Sequence, residues 1–297
     1  MDIANRARAA DSAARLPRQL VAGLALLAIA WPLAWFGSAP YASYTFFPLW
    51  LGYILTVDGL TAWRTGTSLL TRNGQRFALL FGFSLPLWWF FEFANQFLGN
   101  WQYQLPRDYS PIVYFLLASV AFSTVMPAIF VTAELYRSCG PFAPARRWIR
   151  FAPSRSRLAG IAILGLAMFI ASLVFPDVAF PLVWIGLFLT VDAVNALTGS
   201  KSLAAQVADG RWDTVLVLFA AGLTCGFFWE MWNYWSMPKW IYDIPYGSWR
   251  PIFEMPLLGY GGYFPFALEV YAFYHLLHGL VVRRPDDYLR FDEAAEG

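Results

Sequence analysis

Long hydrophobic stretches separated by short polar segments run along the whole chain. About 20 apolar residues in a helix are enough to cross the hydrocarbon core of a bilayer. Eight stretches reach or approach that length, and we expect each to form a transmembrane helix. The predicted spans are residues 20–37, 46–63, 77–98, 111–136, 158–175, 179–197, 212–235 and 256–282.

The order of hydrophobic and polar positions in the first half of the chain recurs in the second half. Residues 50–70 read WLGYILTVDGLTAWRTGTSLL, and residues 184–204 read WIGLFLTVDAVNALTGSKSLA. The two stretches align without a gap, which places Asp58 opposite Asp192. A match of this length, with an acid kept inside an apolar segment, predicts a duplicated unit.

A second pair of stretches supports the duplication and adds further polar residues to it. WWFFEFANQF (residues 88–97) aligns with GFFWEMWNYW (residues 226–235). Shortly after each stretch, a Trp-x-Tyr sequence follows. The aligned pairs are Glu92 with Glu230, Asn95 with Asn233, Trp101 with Trp240, and Tyr103 with Tyr242.

An even number of spans in each unit gives both units the same orientation in the membrane. We therefore predict an all-α, polytopic integral membrane protein with eight transmembrane helices arranged as two parallel four-helix repeats, related by a pseudo-two-fold axis along the membrane normal. The predicted divisions are a basic cytoplasmic tail (1–18), the first repeat (19–137), a cytoplasmic linker (138–157), the second repeat (158–282) and a second cytoplasmic tail (283–297).

Composition and charge agree with this topology. Hydrophobic residues make up 59% of the chain, charged residues 13%, and the mean hydropathy is +0.48. Soluble domains carry roughly 25% charged residues, so a soluble class is excluded. Of the 21 Lys and Arg residues, only Arg107, Lys239 and Arg250 fall in the loops predicted to lie outside. This asymmetry predicts a multi-pass protein of a bacterial-type inner (plasma) membrane with both termini in the cytoplasm.

Acidic residues inside the predicted spans are the first candidates for function. An ionised carboxylate at the bilayer centre costs about 3 kcal/mol on insertion scales, and no Lys or Arg lies deep in any predicted span. Such acids either face a polar cavity or retain a proton. The acids within or at the edge of spans are Asp58, Glu92, Glu134, Asp192, Glu230, Glu254 and Glu269.

Asp58 and Asp192 each precede a turn rich in small polar residues. Their structural interpretation is a carboxylate that accepts hydrogen bonds from that turn or pairs with Arg64 or Lys201. The functional alternative is a step in a path for protons or ions.

The two Glu-x-x-Asn sequences are more suggestive of a site, because residues three apart share one face of a helix. One interpretation is a polar contact that holds the two repeats together. The other is a binding or catalytic site, in which Asn233 orients a protonated Glu230. Aromatic residues surround both sequences and favour a cavity for an apolar ligand, either neutral or cationic. The predicted binding residues are Glu92, Asn95, Trp88, Trp229, Trp232 and Tyr260.

The two halves differ where Tyr114 of the first aligns with Glu254 of the second. A glycine-rich run, residues 259–265, follows Glu254 and permits a bend or a close approach to the backbone. Glu254 is therefore either a second catalytic acid or a simple cap at the start of the last helix.

No recognised motif supplies a metal or a cofactor. His275 and His278 are three residues apart without further ligands at a matching height, and they are predicted to be a structural pair. The chain has no phosphate-binding Walker loop, no dinucleotide fingerprint and no nucleophile elbow. Neither a cofactor, a metal nor a nucleic-acid partner is predicted, and the sequence does not set an oligomeric state.

Three functions fit these residues. The favoured hypothesis is an intramembrane enzyme that uses a protonated Glu in an aromatic cavity to cyclise or isomerise an isoprenoid or another lipid, with Glu230, Glu254 and Asn233 as catalytic residues. A proton-coupled transporter or channel is the second, with the membrane acids as stages of one path. A structural membrane subunit, whose acids serve helix packing, is the third.

Overall fold

Helices dominate the computed structural model, which describes residues 16–38, 40–282 and 286–293. The α-helices are α1 (Arg18–Phe36), α2 (Phe46–Thr65), α3 (Leu69–Arg72), α4 (Gly74–Leu98), α5 (Pro111–Phe122), α6 (Val125–Cys139), α7 (Arg155–Val174), α8 (Pro176–Ala179), α9 (Leu182–Thr198), α10 (Leu203–Ala208), α11 (Asp213–Tyr234) and α12 (Tyr263–Val281). Short 3₁₀ turns occupy Tyr41–Tyr44, Ala143–Arg147 and Leu257–Gly262. The β-strands are β1 (Trp101–Gln104), β2 (Lys239–Tyr242), β3 (Pro251–Ile252) and β4 (Met255–Pro256).

Several of these helices are suited to a membrane. Five segments of the described chain are long and apolar enough to cross a bilayer. This is the pattern expected of a mainly helical membrane protein. Helix α9 is apolar but shorter, at 17 residues. The five segments are Arg18–Phe36, Gly74–Leu98, Pro111–Cys139, Arg155–Val174 and Asp213–Tyr234.

Two predicted spans differ from the observed helices. The span predicted at 111–136 is broken into α5 and α6, and the Ser84 hydroxyl lies at the break. It donates to the Phe122 carbonyl (2.6 Å) and accepts from the Met126 amide (3.1 Å), which satisfies backbone groups freed by the break. The span predicted at 256–282 begins later, at Tyr263, because a strand and a 3₁₀ turn precede it.

Close helix contacts recur in the two halves. A Cβ atom added to Gly23 of α1 would lie 2.5 Å from the Thr56 amide nitrogen of α2. One added to Gly165 of α7 would lie 2.7 Å from the Thr190 amide nitrogen of α9. Small residues let helix backbones touch in this way within membranes. Thr56 and Thr190 occupy aligned positions, so both halves use the same type of helix crossing.

Two loops meet at one end of the bundle, which we call the strand end. Strand β1 follows α4, strand β2 follows α11, and they pair antiparallel. Trp101 lies opposite Tyr242, and Tyr103 lies opposite Trp240. The hydrophobic pattern did not predict these strands, because segments of two to four residues are too short to show an alternating period.

The opposite end, which we call the turn end, carries α3 and α10. Asp58 accepts hydrogen bonds from the Ser68 hydroxyl (2.7 Å) and the Leu70 amide (3.1 Å) beside α3. Asp192 accepts from the amides of Leu203 (2.7 Å) and Ala204 (2.8 Å) at the start of α10. These bonds confirm the structural interpretation of both aspartates. The predicted pairing of Asp192 with Lys201 is wrong, because Lys201 contacts Asp292.

Residues 286–293, predicted as part of a cytoplasmic tail, pack against the turn end. The Tyr288 hydroxyl donates to the Leu69 carbonyl (2.8 Å), and Lys201 lies 3.1 Å from Asp292. Glu134 accepts from Arg72 (2.8 Å) and from the Arg290 amide (2.8 Å). This segment therefore ties the turn ends of the two halves together. Residues 1–15, 283–285 and 294–297 of the predicted tails lie outside the described residues.

Candidate active site in an aromatic cavity

A cavity of about 500 Å³ opens at the strand end, between the two halves of the chain. Its wall is mainly aromatic, and Lys239 is the only formally charged residue lining it in the described chain. Such a wall suits an apolar ligand with few polar groups. The aromatic residues of the wall include Trp88, Trp101, Tyr103, Trp184, Trp229, Trp240, Tyr242, Tyr263 and Phe266.

Glu230 lies directly behind this wall and is fully buried (0% exposed). Its Oε1 atom accepts hydrogen bonds from the hydroxyls of Tyr242 (2.7 Å) and Tyr263 (2.6 Å). Both tyrosines line the cavity. Within the described chain, Oε2 of Glu230 has no hydrogen-bond partner. Glu230 is thus connected to the cavity through two hydroxyl groups, and its other carboxyl oxygen accepts no hydrogen bond in the described chain.

Glu92 lies behind the same wall on the side of the first half. Its Oε1 atom accepts from the indole nitrogens of Trp88 (3.0 Å) and Trp101 (3.1 Å) and from the Tyr103 hydroxyl (2.6 Å). All three donors line the cavity. The two glutamates therefore adjoin one shared cavity, although neither carboxyl group forms its surface.

The strand tyrosines are held as hydrogen-bond donors. Burial raises the pKa of both Tyr103 and Tyr242 well above the ordinary tyrosine value, and the adjacent carboxylates of Glu92 and Glu230 raise it further. Both hydroxyls consequently keep their protons at neutral pH. They are available to donate to a carboxylate or to a ligand.

Asn95 and Asn233 do not contact the glutamates as the spacing predicted. The Asn95 side chain donates to the Trp101 carbonyl (2.8 Å) and accepts from the Asn100 amide (2.9 Å). The Asn233 side chain donates to the Trp240 carbonyl and accepts from the Trp240 amide, both at 2.8 Å. Each Asn therefore fixes the strand after its helix, and the strand in turn places its tyrosine on the glutamate. The prediction that Asn233 orients Glu230 directly is wrong, because its hydrogen-bonding groups are occupied by backbone.

Glu254 does not line the cavity, although its neighbour Met255 does. It sits in the turn between β3 and β4 and forms an ion pair with Lys239. The cap prediction is wrong, because α12 begins at Tyr263, well after Glu254. The geometry gives no support to its predicted role as a catalytic acid, since its carboxylate does not line the cavity and is already paired with Lys239, a residue of the cavity wall.

The predicted aromatic residues divide into two groups. Trp88 and Trp229 line the cavity. Trp232 is buried elsewhere, against Trp50 with ring centroids 5.1 Å apart. Tyr260 donates to the Ile252 carbonyl at 3.2 Å and lies outside the cavity lining.

Tyr263 is the functional candidate that the sequence patterns missed. It belongs to the glycine-rich run, whose sequence indicates only a bend or a close approach to the backbone. A signal for it exists in the alignment, since Gly226 stands where the first half has Trp88. A Cβ atom on Gly226 would lie 2.3 Å from Cδ2 of Tyr263, so this glycine leaves room for the tyrosine ring.

The remaining acids and histidines do not line the aromatic cavity. Glu269 in α12 is fully buried, and neither carboxyl oxygen has a partner in the described chain. His275 lies between Asp286 (3.8 Å) and Asp292 (3.4 Å) of the packed C-terminal segment. Among the described residues, no group of three or more His, Cys, Asp and Glu side chains is arranged to hold a metal ion.

Comparisons with protein-family models, curated proteins and solved structures found no match to this chain. The cavity and the residues around it are therefore the basis for a proposed function.

Proposed function

We propose that this protein is an intramembrane enzyme that isomerises or cyclises an unsaturated, lipid-soluble substrate of the isoprenoid class. The observation that carries the proposal is the contact of the buried Glu230 with two tyrosine hydroxyls that line an aromatic cavity. An acid connected to an aromatic, mainly apolar cavity through hydroxyl groups is suited to moving protons to and from a hydrocarbon.

The proposed reaction needs no oxidant and no cofactor. When Glu230 carries a proton, that proton passes to a tyrosine oxygen as the tyrosine proton is added to one carbon of a substrate double bond. The carbocation rearranges or closes a ring, and loss of a proton from another carbon restores the double bond. That proton returns through a tyrosine to Glu230, so atoms and charge balance over one cycle.

The aromatic wall supports the same chemistry. Aromatic faces stabilise cations by roughly 0.5 to 2 kcal/mol each, and rings of both halves surround the cavity. An apolar wall also keeps water from trapping the cation as an alcohol. The wall therefore stabilises the intermediate without offering a nucleophile to it.

The proposed topology retains eight spans in two parallel four-helix repeats. The recurring contacts of Gly23 and Gly165 with aligned threonines support it, as do the matching strand contacts of Asn95 and Asn233. We further propose a location in a bacterial-type inner membrane, with the turn end and both termini in the cytoplasm. The Lys and Arg distribution supports this orientation.

A proton-coupled carrier is the second candidate, and Glu269 is the observation that favours it. Its carboxyl group is buried without a partner among the described residues, in the middle of a helix that the proposed topology places in the membrane, and such groups are typical of proton pathways. Against it, the packed residues 286–293 occupy the turn end, where a path through the protein would have to leave. The enzyme hypothesis uses the cavity without requiring such an exit.

The test is lipid-extract profiling of cells that express the wild-type protein, Glu230→Gln or Glu254→Gln. We expect the wild type to change at least one isoprenoid or other lipid species, and Glu230→Gln to abolish that change. Glu254→Gln is a matched control, since it makes the same substitution away from the cavity wall. A Glu230→Gln profile equal to that of the wild type would contradict the proposal.

A further inference from the structure

A second, smaller cavity of about 350 Å³ adjoins the aromatic cavity at the strand end. It is lined by Pro40, Ser43, Tyr44, Pro106, Arg107 and Tyr109. Ser43, Tyr44 and Tyr109 line both cavities, so the two spaces share a wall. Arg107 therefore lies in a space that borders the aromatic cavity.

The Arg107 side chain has more hydrogen-bond donors than its contacts in the described chain use. Its guanidinium donates to the Tyr44 hydroxyl (2.9 Å) and lies 5.1 Å from the centre of the Tyr109 ring. In the described chain, no carboxylate forms an ion pair with it. A guanidinium carries five N–H donors in a fork that matches phosphate oxygens. Most of these donors remain free for a ligand.

The other two basic residues of the strand end differ from Arg107. Lys239 lines the aromatic cavity but is paired with Glu254. Arg250 lies 5.5 Å from the Trp249 ring and lines neither cavity. Of these three residues, Arg107 is therefore the one that lines a cavity and has no acidic partner among the described residues.

We infer that Arg107, with Tyr44, binds the phosphate head group of the isoprenoid whose hydrocarbon chain occupies the aromatic cavity. This inference rests on the proposed function and narrows its substrate to phosphate-headed isoprenoids. The head group lies at the rim and accepts N–H donors from Arg107. The apolar chain extends past the shared residues toward Tyr242 and Tyr263.

The experiment titrates purified full-length protein in detergent and follows tryptophan fluorescence, because several tryptophans line the aromatic cavity. The probes are farnesyl phosphate, farnesol and inorganic phosphate. We expect farnesyl phosphate to bind the wild type about tenfold more tightly than farnesol, which reflects one charge-assisted contact. Inorganic phosphate alone is expected to produce no change.

The decisive variant is Arg107→Gln, with Arg250→Gln as the matched control. Arg107→Gln should remove the preference for farnesyl phosphate and leave farnesol affinity unchanged, which also shows that the variant is folded. Arg250→Gln should bind both probes as the wild type does.

Three outcomes would overturn the inference. A preference that survives in Arg107→Gln shows that the head group binds elsewhere. Binding of inorganic phosphate as tight as that of farnesyl phosphate shows a site for free phosphate rather than for a lipid. Wild-type protein that binds farnesol but has no preference for the phosphate overturns only this inference, whereas failure of both isoprenoids also removes support for the proposed function.

Discussion

Glu92 and Glu230 occupy aligned positions in the two halves, yet their partners give them different chemical capacities. Glu92 accepts from two indole nitrogens and one tyrosine hydroxyl. Glu230 accepts from two tyrosine hydroxyls, and each glutamate receives these bonds on Oε1. An indole nitrogen only donates, whereas a hydroxyl both donates and accepts. Two of the three donors to Glu92 therefore cannot relay a proton, whereas both donors to Glu230 can.

A single aligned position accounts for much of this difference. The first half has Trp88 there, and its indole reaches Glu92. The second half has Gly226, and the space beside it is occupied by the Tyr263 ring, which reaches Glu230. Exchange of a large side chain for a glycine thus lets a tyrosine from another helix replace a tryptophan. The two aligned glutamates therefore differ in a donor that comes from a separate helix.

The largest expected effect separates the two glutamates directly. Glu230→Gln removes the titratable group and should lower the rate of substrate conversion by about 10²- to 10⁴-fold, the usual contribution of a general acid or base. Glu92→Gln keeps a carbonyl oxygen that can accept from the same donors and should retain activity. The measurement is the conversion rate of both variants at equal protein concentration. Equal losses would show that the two halves act alike.

A smaller effect is expected when the space beside Gly226 is filled. Gly226→Ala places a Cβ atom against the Tyr263 ring, which must move away from Glu230. A displacement of this kind should lower the rate about 100-fold. Gly82→Ala in α4 is the control, because a Cβ atom there would have no heavy atom within 4 Å of it. Full activity of Gly226→Ala would remove Tyr263 from the proposed mechanism.

The sequence was sufficient to predict the mainly helical membrane class, because long apolar stretches have few other stable structures. Alignment of the two halves of the sequence also pairs Glu92 with Glu230. Periodicity assigns a residue to a helix face, but it does not show which loop will fold over that face. The contacts of Asn95 and Asn233 with the strands were unpredictable for this reason.

The hydrophobic pattern and the alignment also do not predict the features that are particular to the second half. Glu254 stands near a glycine-rich run that suggested a site, but a short hairpin pairs it with Lys239. The sequence patterns do not indicate Tyr263, because its position depends on the space that Gly226 leaves on a neighbouring helix. The packing of residues 286–293 was not visible either, since the segment is polar overall and its buried contacts are with distant residues.

The two asparagines should behave alike, unlike the two glutamates. Asn95→Ala and Asn233→Ala each leave buried strand groups of Trp101 and Trp240 without partners, which should lower the free energy of unfolding by about 1–3 kcal/mol. Thermal unfolding in detergent, followed by circular dichroism, provides the measurement. A large effect at only one of the two positions would show that the halves differ in their scaffold as well as in their chemistry.

The smallest expected effect concerns Glu254, the acid that is present only in the second half. Glu254→Gln removes its ion pair with Lys239, whose side chains are 25% and 17% exposed, respectively. Pairs near a protein surface contribute about 0.2–1 kcal/mol, so the unfolding midpoint should change little. Substrate conversion should also stay near the wild-type rate, because the carboxylate does not line the cavity. A loss of activity as large as that of Glu230→Gln would mean that the specialised half uses two acids, and that the hairpin carrying Glu254 moves toward the cavity during the reaction.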